Sequence, residues 1–439
     1  LKQFSSARII LFGFIIMIFL GASILSLPIS SRSREFTPFI DALFTATSAS
    51  CVTGLIVYDT ATHWSVFGKI IIIAMIQCGG LGVVTMLTVF TQVTGKKIGL
   101  RDRATLQSAL SAPQIGGIIR LTSFIFKGTV IIEMIGAILM FPSFMKDFGI
   151  TKGIYYSVFH SISAFCNAGF SLFTNNLEIF KYDKLITLTV SFLIILGGIG
   201  FVTINSIFII KKKKFRDLSL TSKLALIITA FLLFIGTILF LIFEYNNLST
   251  LKDMNFIDKF LNSFFQSVTL RTAGFNTVPL ENIRPATVFI SYIFMFIGAS
   301  PGSTGGGIKT TTFGILIFYA LGILKRREYV EVFKRRIDWE LINKALAIVV
   351  ISVFYIIVVI TVILSVESFS TDKVVYEVIS AFSTTGLSMG ITAGLGVISK
   401  LLIVITMFIG RLGPMTVALA FTNNKKSLIK YPKEDILIG

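Results

Sequence analysis

Four short polar stretches in this chain each close on a single glycine: residues 45–55 (TATSASCVTGL), 160–170 (HSISAFCNAGF), 266–275 (QSVTLRTAGF) and 377–387 (EVISAFSTTGL). The glycines are Gly54, Gly169, Gly274 and Gly386, spaced 115, 105 and 112 residues apart. Each is preceded by small or polar residues: Val52-Thr53, Asn167-Ala168, Thr272-Ala273 and Thr384-Thr385. Backbone carbonyls can replace the hydration shell of a cation without any fixed charge. Aiming successive carbonyls at one axis requires backbone angles that a Cβ resists and glycine tolerates. One such glycine in each of four matching stretches therefore implies a ring of carbonyls that holds a cation. A lone glycine would signify only a turn or a tight helix contact. No ring of four acidic side chains accompanies these glycines, which argues against Ca²⁺ selectivity.

The elements that must position such a ring repeat as well. About 25 residues after each filter glycine comes a second glycine landmark inside an apolar run: Gly79-Gly80, Gly197-Gly198, Gly298 and Gly410. Apolar runs near the roughly 20 residues needed to cross a bilayer recur at about 8–28, 67–93, 114–142, 183–210, 222–243, 286–324, 341–365 and 397–421. The polar segments 41–50, 155–164, 256–269 and 374–381 are too short to span and suit re-entrant half-helices. Irregular backbone at membrane depth survives only where protein buries it or water lines it, a condition that four inward-pointing elements meet around one axis. Their C-terminal dipole ends would face the cavity and favour a cation. Three of the stretches share the register S-A-x4-G (Ser48, Ser163 and Ser380), and the third, with Thr269, is one residue shorter. The expected fold is an all-α integral membrane protein. It has four repeats of membrane helix, pore half-helix and membrane helix (M1–P–M2), with eight transmembrane helices and four half-helices around one pore. The repeats are read as residues 1–95, 96–213, 214–327 (with a broken M2) and 328–439, the last including a C-terminal tail.

Composition agrees. A hydrophobic fraction of 54% and a mean hydropathy of +0.86 exclude a water-soluble globular domain. The net charge of +18 would suggest nucleic acid in a soluble chain. Here 23 Lys and Arg fall in the segments between repeats, against 13 on the side of the glycine loops. The positive-inside rule then places both termini in the cytoplasm and the loops outside. The KKKKFR run (211–216) directly abuts an apolar span and is read as part of this bias, with no nucleic-acid partner. Cys51, Cys78 and Cys166 show no metal-ligand spacing. The first apolar stretch is long for a signal peptide and lacks an A-x-A-like site, so a retained span is expected; the absence of Met at position 1 is read as a trimmed or processed N-terminus. His63 and His160 are nearly 100 residues apart with no nucleophile–base pattern, so no enzyme is expected. No span carries the regularly spaced arginines of a voltage sensor. An ion-coupled secondary transporter working by alternating access is the alternative, but the repeats share one orientation and only the third M2 reads as clearly broken.

That break, residues 296–312 (FIGASPGSTGGGIKTTT), cannot be a continuous lipid-facing helix. Pro301 removes a backbone donor, and Gly302, Gly305, Gly306 and Gly307 each cost about 1 kcal/mol relative to Ala in a helix. With Gly298 and Ser300 the stretch is expected to lie in the pore below the glycines as a gate, a simple hinge being the plainer reading. Arg411, in the middle of an apolar run, costs at least a few kcal/mol unless paired or hydrated; it is expected to face the pore and hold the loop by donating to its carbonyls. Lys309 is grouped with the gate, its simpler reading being a side chain that reaches the cytoplasmic interface. Asp41 and Glu377 are read as half-helix caps, and Glu133 has no assigned role.

The motifs NAGF (167–170), RTAGF (271–275), IQCGGLG (76–82), GGIGF (197–201), GGGIKTTT (305–312) and MFIGRLGP (407–414) together resemble the Trk/Ktr/HKT superfamily of potassium transporters, most closely the Ktr-type membrane subunit of bacteria. The resemblance covers nearly the whole chain. It implies K⁺ as the transported ion at the carbonyls of the four glycines, a bacterial cytoplasmic membrane location, a homodimer, and a cytosolic ring of RCK-type nucleotide-binding subunits as partner. It also implies that residues 296–312 are the family's flux-regulating intramembrane loop, although their glycine-rich form looks more like the Trk branch. Serine at the first filter glycine accompanies Na⁺ passage in some plant members; Gly54 therefore implies K⁺, while the irregular filter side chains imply some Na⁺ entry. The C-terminal residues 436–439 are expected at a subunit interface.

Overall fold

The computed structural model describes residues 6–94, 98–110, 116–209 and 215–421. Repeat 1 runs from α1 (Ser6–Ser26) through the half-helix α2 (Phe39–Ser50) to an M2 made of α3 (Val66–Leu81) and α4 (Val83–Val93), followed by α5 (Leu100–Leu110). Repeat 2 comprises α6 (Ile118–Phe148), α7 (Ile150–Phe165), α8 (Lys184–Ile199) and α9 (Phe201–Ile209). Repeat 3 comprises α10 (Leu220–Glu244), α11 (Phe256–Thr269), α12 (Pro285–Phe296) and α13 (Thr310–Leu324). A hairpin of β1 (Glu331–Val332) and β2 (Arg335–Arg336) leads into repeat 4: α14 (Trp339–Val366), α15 (Thr371–Ser383), α16 (Val397–Leu412) and α17 (Pro414–Phe421).

The four M1 helices, α1, α6, α10 and α14, are 21 to 31 residues long and apolar enough to cross a membrane. Their outward faces carry large exposed apolar side chains such as Ile16, Phe19, Ile138 and Phe354, which suit lipid rather than water. The half-helices α2, α7, α11 and α15 are 12 to 16 residues long, and their inner turns are buried. Side chains start several elements. Ser65 caps α3 by accepting from Gly68 N, Asp183 caps α8, and Asn255 caps α11.

The second glycine landmark now has a physical reason. A methyl group at Gly79, Gly197 or Gly410 would overlap the carbonyl oxygen of Ser50, Phe165 or Phe382 respectively. In three repeats, M2 thus lies directly against the C-terminal end of its own half-helix, and only a residue without Cβ permits that approach. Gly298 is the counterpart in repeat 3, where the carbonyl met is that of Gly306 in the loop.

More than one M2 is interrupted, contrary to the expectation from sequence. The axes of α3 and α4 differ by 94° about Gly82, and those of α8 and α9 by 96° about Gly200. Gly413, before Pro414, separates α16 from α17. These glycines have φ of 86°, 99° and 85°, which ends an α-helix. At Gly200 the repeat 3 loop braces the break: Phe201 N–H donates to Gly302 O at 2.8 Å, outside its own helix. The residues 436–439, expected at an interface, lie outside the described residues, as do 211–214 of the basic run.

Candidate ion pathway

Gly54, Gly169, Gly274 and Gly386 meet in a closed ring. A methyl on Gly54 would lie 2.5 Å from Ala168 O, one on Gly169 2.8 Å from Ala273 O, and one on Gly274 2.5 Å from Thr385 O; one on Gly386 would overlap Thr53 O. Each glycine therefore faces the carbonyl of the residue before the next repeat's glycine, and repeat 4 closes onto repeat 1. Backbone angles repeat too. Val52, Asn167, Thr272 and Thr384 have φ of 57°, 60°, 65° and 53°, and the glycines have φ of 100°, 68°, 77° and 86°. Left-handed residues on either side of an ordinary one turn successive carbonyls the same way, whereas a uniform extended strand alternates them. Non-glycine residues rarely adopt φ > 0, and four doing so at matching positions marks a shared constraint.

Residues that the sequence reading did not assign hold this backbone. Thr53, Ala168 and Thr385 N–H each donate at 2.8 Å to the carbonyl of Ser48, Ser163 and Ser380, five residues earlier. In repeat 3, Ala273 N–H donates to Thr269 O at 3.1 Å, only four residues earlier, which accounts for the shorter register. The hydroxyls in the same register brace the strand. Ser48 Oγ accepts from Gly54 N and Ser380 Oγ from Gly386 N, both at 3.0 Å, while Ser163 Oγ and Thr269 Oγ1 donate to Phe170 O and Phe275 O. The S-A-x4-G spacing was the signal; the hydroxyl's role needed the fold.

Glu377 is not a cap. It lies in the middle of α15, buried, and its carboxylate accepts from Ser388 Oγ at 2.7 Å and from Thr392 Oγ1. His160 does the equivalent work in repeat 2. Its Nδ1 bonds to Tyr156 O at 2.8 Å, so that nitrogen must carry the proton, and Nε2 accepts from Ser171 Oγ and Leu172 N. Asp41 stands in the first turn of α2 without capping it; it pairs with Lys400 Nζ at 2.7 Å. Glu133 accepts from Gln77 Nε2 at 3.2 Å and has Cys166 Sγ within 3.9 Å, so it joins α6 to the M2 of repeat 1 and to the end of α7.

On one side of the ring lies a polar vestibule of about 340 Å³, lined by Asn176, Glu178, Asn276, Glu281 and Ser388 among others. Burial pushes the Glu178 carboxyl above its ordinary value, opposed by the amide of Asn276 and the charge of Lys181 and reinforced by the charge of Glu281.

On the other side sits the 297–309 loop. Gly306 N–H donates to Thr384 Oγ1 at 3.0 Å, and a methyl on Gly305 would overlap Thr272 Oγ1. The loop is thus pressed against the residues at the inner end of the ring. Ser300 N donates to Gly198 O and Thr304 N to Gly197 O, at 3.0 and 3.2 Å. Gly298 packs on Gly306 and Gly307, Pro301 O on Gly200, and Gly302 on Leu110 O at the end of α5, a helix not anticipated from sequence. Arg411 donates to Thr304 O in the loop, to Gly79 O, and to Gly80 O at 3.1 Å, so one guanidinium joins repeats 1, 3 and 4. Lys309 does not reach outward: its Nζ donates to Gly305 O at 2.7 Å. With Arg411 it lines a cavity of about 160 Å³ under the loop.

Residues 7–430 match the family model described as TrkH: Cation transport protein. The chain is 40% identical over 437 residues to the Ktr system potassium uptake protein B of Bacillus subtilis (strain 168), covering 100% of this chain and 97% of that protein. It is 40% identical over 445 residues to the potassium/sodium uptake protein NtpJ of Enterococcus hirae, covering 100% and 98%. The solved structure of the potassium transporter TrkH from Vibrio parahaemolyticus shares the fold, with a TM-score of 0.76 over 96% of this chain and 86% of that one, at 17% identity. With its helical repeats and full-length match, the chain belongs to the TrkH family of membrane cation transport proteins.

Proposed function

We propose that this protein takes up K⁺ across the bacterial cytoplasmic membrane through a channel-like pore. The ring of Gly54, Gly169, Gly274 and Gly386 is its selectivity filter, and the observation that carries this reading is the closed succession of glycine-to-carbonyl approaches around four repeats. Carbonyls of Val52, Thr53, Asn167, Ala168, Thr272, Ala273, Thr384 and Thr385 complete the coordinating backbone. A dehydrating K⁺ exchanges water for these oxygens, and no proton or covalent step is needed. The names of the relatives from Bacillus and Enterococcus support K⁺ as the ion, and the second supports Na⁺ as an additional one.

The loop carrying Gly298, Ser300, Pro301, Gly302, Gly305, Gly306, Gly307 and Lys309 is the gate, with Arg411 as its latch. Its glycines bring backbone up to Thr272 and Thr384, where it obstructs an ion leaving the filter. Positive charge at Arg411 and Lys309 opposes cation passage while the loop is closed. Opening is driven from the cytoplasm by an RCK-type nucleotide-binding ring acting on a homodimer of this chain, with both termini on that side. The name "Ktr system" of the Bacillus relative supports a multi-component assembly.

The deciding experiment is Rb⁺ or K⁺ uptake by the purified protein in liposomes, with Na⁺ as competitor, with and without the cytosolic ring. K⁺-selective flux that the ring increases supports the gated pore. Flux in neither condition overturns it in favour of an alternating-access carrier.

A further inference from the structure

Asn176 breaks the fourfold pattern at the vestibule mouth. Its Nδ2 donates to Gly169 O at 3.4 Å and to Gly274 O at 3.3 Å, the carbonyls of two filter glycines from different repeats. No other repeat places a side-chain amide on these carbonyls among the described residues. A cation at the outer edge of the ring needs the same oxygens.

The backbone of Asn176 is firmly held. Its N–H donates to Phe173 O at 3.1 Å, the next residue, Leu177, donates to Asn276 O at 3.1 Å, and its own φ is 53°. The preceding Ser171 is anchored by the buried His160. The far end of the side chain is not held. Asn176 Oδ1 is buried and accepts no hydrogen bond, so only the two long bonds from Nδ2 keep the amide in place. Bonds of 3.3 to 3.4 Å are at the weak end of the range.

We infer that Asn176 is an entry residue for the transported cation: its amide occupies the outer carbonyls between ions and is displaced by each entering one. This rests on the carbonyl-ring reading of the pathway. The NH₂ donates to both carbonyls, and the entering cation replaces it at the expense of only those two bonds. Loss of the donor should therefore strengthen cation capture from that side.

A turn-only role for Asn176 forecasts no change in cation capture. Asparagine tolerates φ > 0, and glycine tolerates it better, so Asn176→Gly preserves the backbone while deleting the amide. Asn176→Asp keeps the shape and the turn but cannot donate. The test is the concentration dependence of Rb⁺ uptake in liposomes, under conditions in which the wild type transports, for the wild type, N176G, N176D and the filter control G54S. Expected is a half-saturating Rb⁺ concentration about three- to tenfold lower in N176G, commensurate with two weak hydrogen bonds, and lower still in N176D, with maximal rates no lower than wild type. Unchanged half-saturation in N176G, with its wild-type melting temperature retained in choline chloride, overturns the proposal. If N176G does not fold, N176D is compared with N175D, which adds the same charge to the vestibule lining without removing the Asn176 amide: equal half-saturation in the two overturns the proposal, and a lower value in N176D supports it. An altered K⁺/Na⁺ preference in G54S alongside an unmoved N176G removes the entry role and leaves the filter reading standing. An ion preference unmoved in G54S removes the filter reading itself, and the entry role with it.

Discussion

Lys400 Nζ, in the first turn of α16, lies 2.7 Å from Asp41 Oδ1 in the first turn of the repeat 1 half-helix. The pair joins the last repeat to the first, across the same seam where a methyl on Gly386 would overlap Thr53 O. Both side chains are largely buried, at 12% and 8% exposure, and Tyr58 O–H donates to the other carboxylate oxygen at 3.0 Å. Removing one partner of a buried pair leaves an uncompensated charge and costs about 3–5 kcal/mol. Asp41→Ala and Lys400→Met are each expected to lower the thermal midpoint of the purified protein substantially. The double variant should be less destabilised than the sum of the two singles; strict additivity would mean that the pair contributes no coupling.

Gly54 gives the most direct test of the filter. A Cβ there would come 2.5 Å from Ala168 O, so Gly54→Ser must displace that carbonyl and adds a hydroxyl ligand beside it. The Na⁺-to-K⁺ uptake ratio is expected to rise by roughly tenfold, the effect of about 1.4 kcal/mol. Competition uptake in liposomes measures it, and an unchanged ratio would place Gly54 outside the filter.

Arg411 and the loop should act as one unit. A hydrogen bond to a charged donor contributes about 1.5–3 kcal/mol, and Arg411 donates to carbonyls of the loop and of Gly79 and Gly80. Arg411→Gln is expected to raise flux in the absence of the cytosolic ring by about tenfold or more. Deleting residues 302–307 should do the same, and combining both changes should add little. Reduced flux in a folded deletion variant would mean that the loop supports the pathway rather than closing it.

The architecture was legible because its signals repeat. Four glycine stretches and four M1 runs reinforce one another, and the half-helix 256–269 coincides with α11. Arg411 was legible as a charge inside an apolar run, but its acceptors are carbonyls from two other segments, the end of α3 and the repeat 3 loop, that no local pattern connects. The interruptions at Gly82, Gly200 and Gly413 stayed hidden, the last despite the proline beside it, because all three glycines sit in glycine-rich apolar runs that also serve helix packing. Asn176 lay unseen in an ordinary Asn-Asn loop: what distinguishes it is contact with glycines 7 residues behind and 98 ahead.

The vestibule should respond to external pH through Glu178. Burial favours its neutral form, and Glu281 adds a like charge, so the carboxyl takes up a proton at a higher pH than the ordinary 4.5 even though Asn276 and Lys181 oppose the shift. Any stability linked to this raised value is present in acid and lost as pH rises through it. The effect on transport has the opposite sign, because the ionised carboxylate concentrates cations at the mouth. Uptake at subsaturating K⁺ is therefore expected to fall as the external pH is lowered from neutrality, the fall setting in before the ordinary carboxyl value of 4.5 is reached, with little change at saturating K⁺. Glu178→Gln should lower the rate at neutral pH to that acidic level and flatten the profile. An undiminished pH dependence in the Gln variant would assign the titration to another group.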